Sequence, residues 1–122
     1  MDGRIFQVVT QINSDLSHHW TDEEMATSVG LSVPHFIKLF KLEIKTPPHA
    51  YLCNRRLDKA KNLVESTFLQ MQEICAKVGL PNYGHFTRDF KRKFGKTPTE
   101  HRKDFHELQQ QISYLERNDN FG

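Results

Sequence analysis

The sequence predicts an all-α fold of seven helices, in which a long linker helix joins two helix-turn-helix subdomains. Apolar residues recur at helical spacing along most of the chain, whereas period-2 alternation and hairpin turns are scarce. One segment also occurs twice, and each copy has the pattern of a helix, a short glycine-containing turn and a second helix. An internal repeat of this length indicates one supersecondary unit used twice.

The two copies of the repeat are VGLSVPHFIKLFK at residues 29–41 and VGLPNYGHFTRDFK at residues 78–91. The Val-Gly-Leu triplets match at an offset of 49, and the residues after the turn match at an offset of 50. The additional residue falls in the turn, where Ser32 stands against Pro81 and Asn82. We therefore expect each unit to present its second helix somewhat differently.

The first three predicted helices form the first subdomain, residues 1–46. Thr21 and Glu24 form a capping-box pattern that begins the second helix, and Gly30 is a left-handed C-cap that ends it. Ser32 can cap the third helix. The residues predicted to face inward are Ile5, Val8, Val9, Ile12, Leu16, Met25, Ala26, Val29, Phe36, Leu39 and Phe40.

A long fourth helix, from about Pro48 to Glu65, forms the predicted linker at residues 47–66. The Thr-Pro-Pro sequence before it ends the third helix. A helix of about 18 residues spans roughly 27 Å at ~1.5 Å per residue. Its predicted inward residues are Tyr51, Leu52, Leu57, Ala60, Leu63 and Val64.

The second subdomain, residues 67–117, repeats the pattern. Gly79 ends the fifth helix, Asn82 caps the sixth and Gly95 ends it. A second capping box, Thr97 with Glu100, begins the seventh. The predicted inward residues are Met71, Ile74, Cys75, Val78, Phe86, Phe90 and Phe94.

The seventh helix continues beyond the repeat with an apolar stripe of Phe105, Leu108, Ile112 and Leu115. Two interpretations of this stripe remain open: it packs back on the second unit, or it is a surface for a partner or for self-association. Residues 118–122 are expected to be frayed.

Charge is distributed unevenly, although the whole chain has a net charge of only +2. Residues 32–103 hold 15 basic and six acidic residues, a net charge of +9, whereas residues 1–31 carry −4 and residues 104–122 carry −3. The basic part contains the second helix of each repeat, so this is the part expected to face a polyanion.

Several classes of function are disfavoured by the sequence. No apolar run approaches the ~18 residues of a membrane span, and the N-terminus has no signal-peptide pattern. Cys53 and Cys75 lack metal-ligand spacing, and the seven histidines form no i, i+4 pair. Nucleophile motifs and glycine-rich phosphate loops are missing as well. We therefore expect a cytoplasmic protein with reduced thiols and with no metal, cofactor, membrane partner or enzymatic activity.

The outer face of the second helix in each unit carries the candidates for base contact, because that face enters the major groove in a helix-turn-helix. Arg88 is the leading candidate, since a guanidinium can bind guanine O6 and N7 together, which is worth ~1–3 kcal/mol of discrimination. The alternative for Arg88 is an ion pair with Asp89 or another acidic neighbour. Lys38 is equivalent to Arg88 in the first unit. The predicted base-contacting residues are Pro34, Ile37, Lys38, Gly84, Thr87 and Arg88.

Basic residues and helix N-termini around these faces are predicted to contact phosphates. Such contacts set affinity and salt dependence rather than sequence choice. The predicted phosphate-contacting residues are Ser32, Lys41, Lys45, Asn82, Lys91, Arg92, Lys96 and Arg102.

These motifs together resemble the DNA-binding domain of the AraC/XylS family of bacterial transcription regulators. The most specific part is VGLPNYGHFTRDFKRKFGKTPTEHR at residues 78–102, which is similar to the signature of the family's second unit. Further support comes from GLSVPHFIKLFK at residues 30–41 and from Arg56 and Leu57 in the linker helix. The resemblance covers about residues 5–105.

The resemblance implies a sequence-specific transcription regulator that binds double-stranded DNA, with its two recognition helices in adjacent major-groove segments. It also implies RNA polymerase as a partner and an N-terminal sensor or receiver domain that is not in this chain, so an excised C-terminal piece is expected rather than a stand-alone regulator. The alternative from a different class is a helical protein-interaction module without DNA binding.

The chain departs from the family pattern at five positions. Lys45 stands where the family usually has glycine, Asp22 stands at a usually apolar position, and His101 replaces a common aromatic residue. Pro34 and Gly84 are short where the family often directs a long polar side chain at a base. The first unit is therefore expected to recognise DNA shape or methyl groups more than hydrogen-bonding edges.

Overall fold

The structure, a computed structural model, describes residues 1–119 and confirms the all-α prediction, since it contains seven helices and no strand in that range. The prediction of fraying from residue 118 is wrong for residues 118 and 119, which belong to the last helix, and residues 120–122 lie outside the described part. The helices are α1 Gly3–Ser14, α2 Asp22–Ser28, α3 Val33–Ile44, α4 Pro48–Ser66, α5 Met71–Val78, α6 Tyr83–Phe94 and α7 Pro98–Asp119.

Side-chain caps begin the helices largely as the sequence predicts. At α7 the box is reciprocal, because the amide of Glu100 donates to Thr97 Oγ1 (3.2 Å) and the amide of Thr97 donates to Glu100 Oε1 (3.4 Å). At α2 the amide of Glu24 donates to Thr21 Oγ1 (3.1 Å), but the carboxylate of Glu24 lies 2.8 Å from His18 Nε2 instead of turning back to the cap. The capping residues thus fix where both helices start.

The buried residues form two hydrophobic clusters, and α4 contributes to both. Leu52 lies in the first cluster, with residues from α1, α2 and α3. The second cluster combines Leu57, Ala60 and Val64 with residues from α5 and α6. One continuous helix therefore carries the apolar contacts of both units.

The repeat in sequence is also a repeat in packing. Ring centroids of Phe36 and Phe40 in α3 lie 5.7 Å apart at 58°, and those of Phe86 and Phe90 in α6 lie 5.7 Å apart at 59°. The next helix adds a further aromatic ring in each unit, with Phe40 5.7 Å from Tyr51 and Phe90 5.9 Å from His101. His101, one of the departures noted above, thus occupies the place of Tyr51.

The last helix does not pack back along its whole length. Phe105 and His106 are half-buried, but Leu108, Ile112 and Leu115 are 54%, 46% and 60% exposed. The interpretation that the apolar stripe packs on the second unit is therefore wrong beyond His106. Phe68 lies beside this end, with its ring centroid 5.4 Å from that of His106, but it is itself 88% exposed and leaves the stripe open to solvent. No helix in that range is both long and apolar enough to cross a membrane.

Candidate nucleic-acid interface

The same turn joins the two helices of each unit. Gly30 and Gly79 have φ angles of +71° and +83°, which glycine adopts without the steric cost that a Cβ imposes. The next residue closes the turn in both cases, since the amide of Leu31 donates to Ala26 O (3.0 Å) and that of Leu80 donates to Cys75 O (2.9 Å). The two turns are therefore closed alike as far as Leu31 and Leu80. The additional residue of the second turn, Pro81, lies between that point and Asn82, the N-cap of α6.

The N-termini of both recognition helices are capped by predicted phosphate-contacting residues. Ser32 Oγ accepts from the amide of His35 (3.4 Å), and Asn82 Oδ1 accepts from the amide of His85 (2.9 Å). Both capping residues are exposed. Each cap uses one of the free N–H groups of the first turn and leaves the others available to an anion.

The outer face of α6 presents two guanidinium groups that are held by one carboxylate. Asp89 Oδ1 lies 3.2 Å from Arg88 Nε and 3.8 Å from Arg92 Nη1. The side chains of Arg88 and Arg92 are nevertheless 57% and 74% exposed. The ion pair considered as an alternative for Arg88 is thus present, but it uses Nε. Within residues 1–119 the two Nη groups have no hydrogen-bond partner and can donate to a ligand.

The remaining lysines in the last turn of α6 and just after it differ in which groups they contact. Lys91 is exposed, whereas Lys93 Nζ contacts the linker helix, 2.8 Å from Asp58 Oδ1 and 3.1 Å from Asn54 O. Lys96 forms an ion pair with Asp104. This hydrogen bond raises the pKa of Lys96 and lowers that of Asp104.

The guanidinium of Arg102 binds main-chain carbonyl oxygens at the end of α4 and in the segment after it. Its Nε donates to Val64 O (2.9 Å) and its Nη1 to Leu69 O (2.7 Å), in a partly buried position between α7 and the end of α4. The expectation that Arg102 contacts phosphate is corrected accordingly, because the guanidinium is used to hold the helices together. Its basic neighbour Lys103 remains exposed.

Two further predicted base contacts on α6 have different surroundings. Gly84 is exposed, and a Cβ built on it would contact only Asn82 Oδ1, at 3.5 Å. Thr87 is half-buried and its hydroxyl oxygen is fully enclosed without a hydrogen-bond partner in residues 1–119. The enclosed hydroxyl of Thr87 is thus not available to a base edge.

The outer face of α3 is more apolar than that of α6. A shallow depression on this face is lined by Pro34, Ile37, Lys38, Lys41 and Leu42. Ile37 is also partly packed on the first hydrophobic cluster, whereas Lys38 and Lys41 are exposed. At the end of the helix Lys45 has φ +72° and its Nζ donates to Leu42 O (2.9 Å). The side chain of Lys45 therefore contacts the C-terminal end of α3.

Two residues of this surface were missed by the sequence analysis. Leu42 is 60% exposed in α3, and the offset of 50 would have identified it as the equivalent of Arg92. Asp89 was considered only as a competitor for Arg88, although its position three residues before Arg92 also predicts an i, i+3 ion pair.

The thiols are unsuited to nucleophilic chemistry. Burial raises the pKa of Cys75 to about 11, and burial likewise raises the pKa of Cys53. Both groups are thus thiols rather than thiolates at neutral pH. In the described range no group of three or more His, Cys, Asp or Glu side chains is arranged to hold a metal ion.

Comparison with known proteins gives this surface a context. The xylose operon regulatory protein of Escherichia coli K12 is 30% identical over 101 residues, which is 83% of this chain and 26% of that protein. The structure of a probable AraC family transcriptional regulator from Rhodopseudomonas palustris matches with a TM-score of 0.78 at 26% identity, covering 85% of this chain and 98% of that one. The chain spans only 34%, 28% and 26% of the length of three curated relatives that it matches.

The likeness in fold extends to a protein–DNA complex. The DNA-binding domain of AdpA, a global transcriptional factor solved with a target DNA, matches with a TM-score of 0.84 at 20% identity, covering 88% of this chain and 97% of that chain. A family model described as a helix-turn-helix domain matches residues 25–104. That match covers well over half of the sequence and includes both turns, and so the chain belongs to the AraC family of helix-turn-helix DNA-binding domains.

Proposed function

We propose that this chain is the DNA-binding module of a bacterial transcription regulator and that α3 and α6 each enter a major-groove segment of double-stranded DNA. The observation that carries the proposal is the outer face of α6. There the recognition helix of a helix-turn-helix presents Arg88, Lys91 and Arg92 to solvent. Cations concentrated on this face attract the phosphate backbone, and the helix diameter fits the major groove.

The two recognition helices make different contacts in this proposal. On α6, Arg88 binds a guanine edge through its free Nη groups, while Lys91 and Arg92 contact phosphates. On α3, Pro34, Ile37 and the newly recognised Leu42 contact thymine methyl groups, and Lys38 supplies a polar base contact. The second unit then contributes most of the electrostatic affinity, and the first contributes contacts that are largely apolar.

The test is a fluorescence anisotropy titration on a duplex selected by the chain and on a random duplex, at two salt concentrations. Arg88→Ala should remove ~1–3 kcal/mol of discrimination at one guanine. Lys91→Ala should weaken binding to both duplexes alike and reduce the salt slope by ~1. The proposal fails if wild-type binding is absent or independent of salt, and the division of roles fails if the two variants behave identically.

Salt-independent or absent binding would favour the alternative, a protein-interaction module. One observation favours this alternative. The end of α7 exposes the apolar side chains of Leu108, Ile112 and Leu115. We further propose that the module meets DNA in the cytoplasm, and RNA polymerase is the protein partner that the proposed function implies.

A further inference from the structure

The turn of the second unit lies directly against the first unit. A Cβ built on Gly79 would lie 3.0 Å from Ser17 Cα and 3.0 Å from Arg56 Nε. A Cβ on the equivalent Gly30 would meet no heavy atom of residues 1–119 within 4 Å. Both glycines satisfy the same left-handed backbone requirement, but only Gly79 also permits a close approach between the two units.

Hydrogen bonds of Arg56 complete this contact. Its Nε donates to Leu16 O (2.8 Å) and its Nη2 donates to His18 O (2.7 Å), both in the segment between α1 and α2. On α4, Arg56 lies between Leu52, which belongs to the first cluster, and Leu57, which belongs to the second. The guanidinium therefore ties the shared helix to the first unit at the place where the turn of the second unit touches it.

The segment that accepts these bonds is itself held in place. Leu16 is only 7% exposed and belongs to the first cluster. Trp20 Nε1 donates to Asp15 O (2.8 Å), and the rings of His18 and Trp20 lie 4.5 Å apart in an edge-on arrangement. Because the carbonyl oxygens sit on a packed segment, the bonds from Arg56 restrain the orientation of one unit relative to the other.

We infer that Arg56 is a positioning residue that fixes the relative orientation of the two recognition helices and thereby sets the number of base pairs between the two DNA segments they contact. The inference rests on the proposed function for its second half only. Two linked binding units gain affinity when their separation matches that of their sites. One inserted base pair moves the second segment by about 3.4 Å along the duplex and turns it by about 34°. A rigid pair of units cannot follow this change, whereas a loosened pair can.

The first half is tested on the free chain by NMR residual dipolar couplings, without DNA. In the wild type, amides of α1–α3 and of α5–α6 should fit one common alignment tensor. Arg56→Ala should require two tensors of clearly different magnitude, while Lys59→Ala, which removes an exposed positive charge from the same helix, should still fit one. A single tensor in Arg56→Ala would overturn the inference, whether or not the chain binds DNA.

The second half is tested on the selected duplex and on versions with one base pair added or removed between the segments sensitive to Lys38→Ala and Arg88→Ala. The wild type and Lys59→Ala should lose at least about tenfold in affinity on either altered duplex. Arg56→Ala should bind the original duplex about five- to thirtyfold more weakly and lose less than about threefold on the altered ones. An unchanged spacing penalty in Arg56→Ala would overturn this half.

A second pair of variants covers the case in which Arg56→Ala is poorly folded. Gly79→Ala and Gly30→Ala impose the same left-handed strain, but only the first also pushes against Ser17 and Arg56. Gly79→Ala should therefore change the spacing preference and Gly30→Ala should leave it as in the wild type. Equal behaviour of the two glycine variants would contradict the inference. Failure of the wild type to bind any duplex would instead overturn the proposed function and, with it, only the half of the inference that concerns spacing.

Discussion

In both units the helix that follows the recognition helix packs against it through equivalent positions, but the residues at these positions differ. In the first unit, α4 adds Tyr51 against Phe40 and then buries Leu52 in the core. In the second unit, α7 adds His101 against Phe90, but the residue equivalent to Leu52 is Arg102, which bonds to main-chain carbonyl oxygens. A repeated backbone thus tolerates an apolar or a charged residue at one position, provided that the surroundings supply contacts or hydrogen-bond acceptors to match.

The inner faces of α3 and α6 are similar in the two units, whereas their outer faces differ. The aromatic residues on the inner faces of α3 and α6 keep nearly the same spacing and tilt. On the outer faces, Leu42 stands against Arg92 and Lys38 against Arg88. Packing constrains the inner faces of both helices equally, whereas the outer faces are free to differ according to what each one binds.

The largest expected effect comes from truncating the equivalent core phenylalanines. Phe40→Ala and Phe90→Ala should each cost about 3–5 kcal/mol of unfolding free energy, because both rings are fully buried. Since α4 contributes to both clusters, each variant should still unfold in one transition. Urea denaturation checks this with two probes, the fluorescence of Trp20, the only tryptophan, which lies in the first unit, and the far-ultraviolet circular dichroism of the whole chain.

Coincident curves from both probes would show that the units unfold together. If Phe90→Ala left the Trp20 transition unchanged while the circular dichroism curve split, the units would be independently stable and the shared role of α4 would be wrong. Leu63→Ala, at a half-buried position of α4, gives a milder control for the second cluster.

The helices and the repeat could be predicted from the sequence because they depend on local spacing and local caps. Apolar residues at i, i+3 and i+4 determine which face of a helix is buried, and glycine marks the turns in both units. The Thr97–Glu100 box and the caps at Ser32 and Asn82 follow from residues three positions apart. Such signals are contained in a few neighbouring residues and need no knowledge of the rest of the chain.

The errors concern residues whose partners are distant in sequence. Arg102 belongs to a basic run, and its neighbours in sequence do not show that the carbonyl oxygens of Val64 and Leu69 lie beside it. The stripe on α7 has the correct helical period, but whether it is covered depends on how far the second unit extends. The contact between Gly79 and Ser17 likewise joins residues 62 positions apart, although the glycine itself was predicted from its turn.

A medium effect is expected at Arg102, where the two units differ most. Arg102→Ala should cost about 2–3 kcal/mol of unfolding free energy, because hydrogen bonds from a charged donor are lost and two acceptors remain partly buried. Arg102→Leu, which copies Leu52 of the first unit, should be destabilised similarly, since leucine supplies no donor. Lys103→Ala removes the same charge at the exposed neighbouring position and should change stability by no more than about 0.5 kcal/mol.

The DNA affinity of Arg102→Ala separates the two roles considered for this residue. At a temperature well below its unfolding transition, the variant should bind a random duplex, and its affinity should fall with salt concentration as steeply as that of the wild type. A slope reduced by ~1 with unchanged stability would identify Arg102 as a phosphate contact after all.

The smallest expected effect concerns the C-caps of α3 and α6, which both adopt the left-handed conformation. Lys45 does so at φ +72° and Gly95 at φ +86°. The left-handed region costs a residue with a Cβ roughly 1–2 kcal/mol, and the extra freedom of glycine in the unfolded chain offsets about 0.5–1 kcal/mol of that. Lys45→Gly should therefore stabilise the chain by about 0.5–1 kcal/mol, and Gly95→Lys should destabilise it by a similar amount.

Thermal unfolding followed by circular dichroism would register the two changes as shifts of a few degrees in opposite directions. Both variants act at positions where a Cβ has room, since a Cβ at Gly95 would meet nothing within 4 Å among residues 1–119. The two variants therefore compare the free-energy cost of backbone strain at the two C-caps, without a contribution from a steric clash. A loss of stability in Lys45→Gly would mean that the bond from Lys45 Nζ to Leu42 O outweighs the strain. In that case the side chain of Lys45 would stabilise the C-terminal end of α3 by its own hydrogen bond. The two units would then differ in the interaction that ends the recognition helix as well as in the residue at that position.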